Sequence, residues 1–433
     1  MLYKKFQYNL DHLLGNRSTY PDSLAIAVSG GADSVALLML LSIWASKNET
    51  KIFVMSIDHN LRLESKLENE YIEILSRNLG HKYLKFDWKS DDNLANLQER
   101  AREGRYKLLT DSCLSLGILT LLTAHHLDDY IENFCIRSER QSGIFGLSRS
   151  HIHFYNNIRI LRPLYNIEKE ELVNYLIEND IKWFEDKSNS SDKYHRNRIR
   201  KNLSKESGAF KQIIIASLHA IDEKVEDVLK PQLIEAIANS VSTSQLGFTK
   251  INLSGFAIYS KDIKLQLLSF VLITISGNNK LPRSKSIELI IQLIESGIEF
   301  AKTLHGCIIK KIKSNLLIYR EFGKKSPNDV MLNKDVKWDN RFRFKSNINL
   351  PNIYITKFTM KDYIDIKDKI DLKELSKLTM NHHMEILFTL PVVKILEKVL
   401  VIPHISYYNN LDLKDKLNVS FEPSFTSRFL HFC

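Results

Sequence analysis

Positions 125 to 132 read His125, His126, Leu127, Asp128, Asp129, Tyr130, Ile131 and Glu132, gathering two imidazoles and three carboxylates. A helix starting near Leu127 sets Asp129 and Glu132 three apart and Asp128 and Glu132 four apart, so the carboxylates converge on one side. Carboxylates gathered in this way hold a hard cation or an ammonium group. Zinc fits poorly, because His125 and His126 are adjacent and neighbouring side chains at a strand end rarely converge on one metal. Earlier in the chain, an apolar run at 24–28 leads into Ser29, Gly30, Gly31, Ala32, Asp33 and Ser34, and a second apolar run follows at 35–43. That order spells strand, glycine turn and helix start. Adjacent glycines let the backbone turn tightly and approach a ligand, while the amides of the following helix N-terminus attract an anion. The phosphate loop of kinases and motors is excluded, since no lysine follows the glycines as that pattern requires. An ordinary turn capped by Asp33 or Ser34 fits the same residues.

Three groups of cations accompany these two clusters. On a charged helical stretch, Ala101, Arg105 and Leu108 share one face, so Arg105 leans among apolar neighbours and needs an anion there. Arg102 lies beside it; a solvated charged face is the plainer reading of both. Arg137 and Arg140 flank a loop containing Ser142, Gly143 and Gly146, and Arg196, Arg198 and Arg200 recur at alternate positions after a polar turn. Guanidinium groups pair with phosphates bidentately, which fits a nucleic-acid contact, whereas a basic interdomain linker would share only the composition. Asp58 ends the second apolar run, where it either borders a ligand or caps the next helix.

The elements that must position these residues alternate. Strand-like runs at 24–28, 52–57, 83–86 and 118–124 are separated by helical patterns at 35–46, 65–79 and 94–116. This is the signature of an α/β fold with a doubly wound parallel sheet, in which ligands gather at the carboxyl ends of the strands. A further helix is expected at 167–178. Beyond 208 the pattern turns mostly helical, with helices at 210–229 and 231–240 and others starting at Asp262 and Ser284, closed by a β-hairpin formed by 304–313 and 316–319. From about 334 strands and helices mix, giving a small α+β region. The expected organisation is therefore a domain at 1–208, a helical and hairpin domain at 209–330 and a C-terminal domain at 331–433.

The 433 residues carry a formal net charge of +10, which favours a polyanionic partner without specifying one. Cys113, Cys135, Cys307 and Cys433 form no C-x-x-C pair, so neither a disulfide framework nor structural zinc is indicated, and a reducing cytoplasm is expected. The N-terminus lacks a signal-peptide core and no apolar run reaches membrane-spanning length.

Residues 29–34 resemble the SGGxDS pyrophosphate loop of the N-type ATP pyrophosphatases, with an adenine nucleotide alpha hydrolase-like fold. Within that superfamily the chain resembles the tRNA lysidine synthetases. Residues 124–133 match AHHxDDxxET with Asn133 in place of threonine; Ala101, Arg102, Arg105 and Tyr106 match AR-x-x-RY; and residues 58–62 match a DH-G-LR segment with Asn60 in place of glycine. Residues 137–147 match R-x-x-RGSG-x-x-GL with Gln141 for the first glycine, Arg162 to Leu164 match RPL, and residues 183–200 match W-x-EDPSN-x-D-x-x-Y-x-RNRIR with Lys187 for proline.

The resemblance implies an ATP-dependent ligase that adenylates O2 of the wobble cytidine of an isoleucine tRNA with a CAU anticodon. The ε-amine of free L-lysine then attacks C2 and expels AMP. ATP and Mg2+ are the implied cofactors, tRNA and lysine the partners, and a homodimer is compatible. Ser29, Gly30, Gly31, Ala32, Asp33 and Ser34 would hold the pyrophosphate, with Asp58 and Arg102 also binding the nucleotide; Asp33 and Asp129 would hold the metal. Asp33, Arg105, His125, Asp129 and Glu132 would be catalytic, and Arg137, Arg140, Arg196, Arg198 and Arg200 would contact tRNA, together with the two downstream domains. A tRNA thiolase is the rival within the superfamily, but it delivers sulfur through cysteine and this chain has no cysteine pair. A non-catalytic RNA-binding protein on the same fold is the rival outside it, and the intact acidic residues oppose that reading.

Overall fold

A computed structural model describes the chain except residues 17, 19, 59–63, 88–96, 186–194, 204–205, 207, 279, 323–325, 349–350, 380 and 424–433. The described chain divides into two compact units, Met1–Lys224 and Val225–Cys433.

In the first unit, helix α1 (Leu2–Leu14) precedes β1 (Ser23–Ala27), α2 (Ala32–Asn48), β2 (Lys51–Asp58), α3 (Glu64–Asn78), β3 (Lys82–Asp87), α4 (Leu97–Ser115) and β4 (Thr120–Leu122). Then come α5 (Leu127–Glu139), the single turn α6 (Ile144–Leu147), a hairpin of β5 (Ile152–Tyr155) and β6 (Ile158–Leu161), and helices α7 (Lys169–Glu178), α8 (His195–Leu203) and α9 (Gly208–Glu223). The sheet runs in the order β3-β2-β1-β4-β6-β5, parallel throughout except for the antiparallel β5–β6 pair. All four parallel strands read from the pattern are present, with β4 shorter than expected. The β5–β6 hairpin was not expected; its turn is Asn156–Asn157, both with positive φ of 48° and 62°.

Strand order reverses between β1 and β4, and it is there that an open α/β sheet leaves a crevice at the carboxyl ends of its strands. β1 is paired along its whole length with β2 and through Ala25 and Ile26 with β4, and Leu24, Ala25 and Ile26 are completely buried, so the loop that follows it is anchored in the centre of the sheet. Helix α2 is apolar nearly all round: Val35, Ala36, Leu37, Leu38, Leu40 and Leu41 have no exposed surface, and α1 and α7 cover its outer side.

The second unit holds α10 (Lys230–Ser240), β7 (Val241–Thr243), β8 (Phe248–Asn252), α11 (Leu253–Ala257), α12 (Lys261–Ser276), α13 (Ser284–Glu295), β9 (Ala301–Leu304), β10 (Cys307–Ile312) and β11 (Asn315–Arg320). The expected hairpin exists as β10 and β11, but it is part of a five-stranded antiparallel sheet, β7-β8-β11-β10-β9, so this stretch is richer in strand than its helical patterns imply. A second five-stranded sheet and a three-stranded sheet containing Asp335–Trp338, Phe342–Ser346 and Leu417–Phe421 follow. Leu246, Phe248, Leu317 and Tyr319 join Trp338, Phe342, Phe344, Phe358 and Val393 in one hydrophobic core, so residues on either side of position 331 pack together. No helix among the described residues is long and apolar enough to cross a membrane.

Candidate functional site

The loop after β1 is shaped by its own side chains. Ser34 Oγ donates to the Gly31 carbonyl at 2.9 Å and accepts from the Ser29 amide at 3.2 Å. Gly30 takes φ +86°, a conformation that favours glycine, and an added Cβ there would meet Glu68 of α3 at 3.4 Å. Its carbonyl accepts the Phe184 amide at 3.0 Å, and Tyr71 packs edge-on against the Phe184 ring. The Trp183–Phe184 end of the late motif therefore braces the glycine loop. Gly31 caps α2 with no side-chain hydrogen bond, leaving helix amides for an anion.

The second cluster stands at the end of β4, on the other side of the reversal point. His126 is the N-cap of α5 and is almost fully buried; its Nε2 lies 3.5 Å from Asp33 Oδ2 and 3.7 Å from Asp129 Oδ2, and its Nδ1 lies 3.4 Å from Asp128 Oδ2. Burial opposes the charged imidazolium, but the hydrogen bonds it donates to Asp128 and Asp33 and the charge of Asp129 outweigh it and push the pKa up to about 10. His126 is thus a cation that joins the glycine loop to α5. Asp33 sits in the first turn of α2. Burial raises its pKa, yet the hydrogen bond and charge of His126 more than offset this and hold it below the ordinary value, while its Oδ1 is buried without a partner.

Asp128 faces away from the crevice. It accepts the Lys169 amide at 2.8 Å and pairs with Lys211 Nζ of α9 at 2.9 Å, and Lys211 also reaches Glu168 at 2.7 Å. Burial opposes these contacts, but they and His126 hold its carboxyl far below the usual range, which makes it a brace between α5, α7 and α9. Glu132 is 3% exposed and lies between two arginines of α8: Arg196 Nε donates to one oxygen at 2.7 Å, and Arg200 donates from Nε at 2.6 Å and from Nη2 at 3.1 Å. Arg196 Nη2 also reaches Asp129 Oδ1 at 2.9 Å. Arg196 and Arg200, expected at tRNA phosphates, are therefore engaged with the carboxylates, whereas Arg198 on the same helix is exposed.

His125 lies beside a group of cations. Burial first, and then the charges of Arg162, Arg102 and Arg105, hold its pKa well below the ordinary value, so its imidazole is neutral at pH 7. Arg102 and Arg105 stand 5.8 and 5.5 Å from the Tyr106 ring centre. Asp58 is 3% exposed and pairs with Lys85 of β3 at 2.9 Å, beside the sheet's centre. Arg137 donates to the Gly146 carbonyl, which ties the 137–147 loop to α5, and Arg140 at the end of α5 is exposed. Gln141, at the position where the lysidine synthetases carry glycine, has φ +54°. The 59–62 and 186–194 parts of their motifs lie outside the described residues.

The pattern of residues pointed to Asp33, Asp129 and Glu132, which the fold brings into one crevice, but missed His126, Arg162 and Lys211. His126 carried a signal in its adjacency to His125. Lys211 carried none, since only the packing of α9 brings it to Asp128.

Parallel-sheet order, a glycine loop at a helix N-terminus and acidic groups across the reversal point define a nucleotide-binding pyrophosphatase-type domain, and the family model described as a PP-loop domain matches residues 2–207. The chain belongs to the tRNA(Ile)-lysidine synthase family of enzymes. It is 54% identical to members from Rickettsia typhi and Rickettsia prowazekii and 53% identical to one from Rickettsia bellii, in each case over 100% of both chains. Among solved structures, a U34-tRNA thiolase from Methanococcus maripaludis matches with a TM-score of 0.41 and 16% identity, covering 52% of this chain and 80% of that one.

Proposed function

We propose that the chain joins L-lysine to C2 of the wobble cytidine of an isoleucine tRNA with a CAU anticodon, consuming ATP and releasing AMP and diphosphate, in the cytoplasm. One observation carries this reading. The anion loop after β1 and the carboxylates after β4 face one crevice and are joined by the 3.5 Å contact between His126 and Asp33. A site for a departing polyphosphate is thereby set beside a site for an incoming ammonium group.

A ring carbonyl oxygen leaves poorly, so O2 of the cytidine is first bonded to the α-phosphorus of ATP while the bond to pyrophosphate breaks. Residues 29–34 hold the pyrophosphate through backbone amides. Arg102 and Arg105 offset charge at the α-phosphate, and neutral His125 hydrogen-bonds there without adding charge. The residues also fit magnesium. Asp33 has an unpartnered buried oxygen and Asp129 lies across His126 from it, and this ion is commonly held by one or two carboxylates plus substrate phosphates. When bound, the ion would neutralise charge on the leaving pyrophosphate.

In the second step the lysine ε-nitrogen bonds to C2 and AMP leaves with O2. With an unperturbed pKa of about 10.4, the amine must lose a proton to act at neutral pH. Glu132 accepts three guanidinium hydrogen bonds from Arg196 and Arg200, whereas Asp129 accepts one from Arg196 and one from the His126 amide, so Asp129 is the carboxylate we assign to orient the ammonium and receive the proton, and Glu132 fixes α8 against α5. Arg140 and Arg198, both exposed, would contact tRNA phosphates, with Arg137 shaping the loop beside them. A pyrophosphate-release assay with each amino acid in turn plus bulk tRNA tests the reading: release that depends on lysine supports it, and release indifferent to the amino acid overturns it.

A further inference from the structure

On α5, Asp129 and Glu132 form one stripe, and Tyr130, Asn133 and Arg137 form the next, about 100° round the helix. The second stripe faces a separate small cavity that it lines together with Arg149, His153 and Arg162. The cavity is about 40 Å³, room for about three water-sized groups and too small for a nucleotide. Three of its lining residues are arginines and none is acidic.

Two of these arginines hold donors in reserve. Arg149 has a side chain 3% exposed. Its Nε donates to Asp222, its Nη2 stands 3.1 Å from His219 Nδ1, and its backbone amide donates to Asp222 at 2.7 Å. Its Nη1 is buried and has no partner, as is Arg162 Nε. Arg162 stands beside the Tyr106 and Tyr130 hydroxyls, which carry no charge to neutralise it. A buried charged donor without an acceptor is destabilising, and such groups persist where a ligand supplies the acceptor.

We infer that this cavity holds the α-carboxylate of the incoming lysine. This rests on the function proposed above. A free amino acid that reacts through its distal amine must be gripped at both charged ends, and α5 offers carboxylates on one stripe and a cationic cavity on the next. Arg149 and Arg162 hold the carboxylate; Asp222 and His219 act through Arg149 as positioning residues.

The test compares lysine with lysinamide, whose carboxylate is replaced by a neutral amide, in lysidine formation by the full chain on a CAU-anticodon tRNA. The wild-type chain should favour lysine by about 100-fold in kcat/KM, the scale of a charge-assisted bidentate pair. Arg149→Gln should cost lysine about 30-fold, chiefly in KM, with lysinamide changed less than about two-fold, and Arg149→Lys should recover part of the loss. Transfer of label from pyrophosphate into ATP, which needs tRNA but not lysine, should be unchanged. Asp222→Asn weakens the same ion pair without removing Nη1, so it should lower the preference for lysine over lysinamide by less than Arg149→Gln does; if either variant lowers the two amines equally, the role is only structural and the inference fails. Equal use of the two amines by the wild-type chain also overturns it, and that comparison stands even if Arg149→Gln does not fold. A rise in tRNA KM with lysine KM unchanged would overturn it in favour of a backbone phosphate. Lysine-independent pyrophosphate exchange without any lysine-containing product would overturn the proposed function itself.

Discussion

Replacing Glu132 by Gln keeps shape and removes charge at the point where α8 is fastened to α5. The carboxylate accepts three hydrogen bonds at 2.6 to 3.1 Å from Arg196 and Arg200. Removing one member of a fully buried ion pair costs about 3–5 kcal/mol, because the partner charge is stranded. Here the arginine side chains are 37% and 39% exposed, so water can solvate them and the cost falls to about 1–2 kcal/mol. For a unit of this size that corresponds to a melting shift of about 2–8 °C downward. Calorimetry of Glu132→Gln, Arg200→Gln and the double variant measures it, and the double variant should be less destabilised than the sum of the singles by more than about 0.5 kcal/mol. Lysidine formation should fall more than pyrophosphate exchange, since α8 also places Arg196 against Asp129. Additive melting shifts, or a Glu132→Gln chain with unchanged melting and turnover, would refute the coupling of α5 to α8.

Asp33→Asn should abolish AMP formation that depends on lysine and tRNA while the chain retains its far-ultraviolet circular dichroism; turnover near the wild-type rate would remove Asp33 from the site. Gln141→Gly relieves a left-handed backbone that costs a residue with a Cβ about 1–2 kcal/mol, less glycine's extra chain entropy, so a net gain of about 0.5–1 kcal/mol in unfolding free energy, read from a raised denaturant midpoint, is expected. In the second unit, burial first and then the charge of Arg341 push the pKa of His404 down to about 4 from 6.5. The folded form therefore binds fewer protons than the unfolded form between those values. Its stability is present above pH 6.5 and is lost as pH falls toward 4, by up to about 3 kcal/mol. Urea unfolding at pH 7, 5.5 and 4 should show that loss, and His404→Phe should flatten it.

The sheet was legible because each parallel strand is a short apolar run closed by a polar cluster, and because β1 to β4 meet the crevice with the residues that carry its chemistry. The β5–β6 hairpin was overlooked, although Asn156–Asn157 is a turn signal, because its strands are four residues each and His153 and Arg159 interrupt their apolar runs. In the second unit, β7 and β8 hide in a polar stretch joined through Gly247 at φ +74°; β8 gains its buried face only by pairing with β11, and β7 is an edge strand held by β8. Site residues that follow a strand end could be placed from their spacing. Partnerships such as Asp128 with Lys211, or Glu132 with Arg200, depend on how helices far apart in sequence dock, which no local pattern encodes.

The most direct test of the central claim is incorporation of labelled lysine into tRNA carrying a CAU anticodon, with ATP and the purified full chain. The account predicts label in that tRNA, with one AMP formed per lysine and no incorporation of other amino acids. AMP and pyrophosphate formation without label in the tRNA would contradict it.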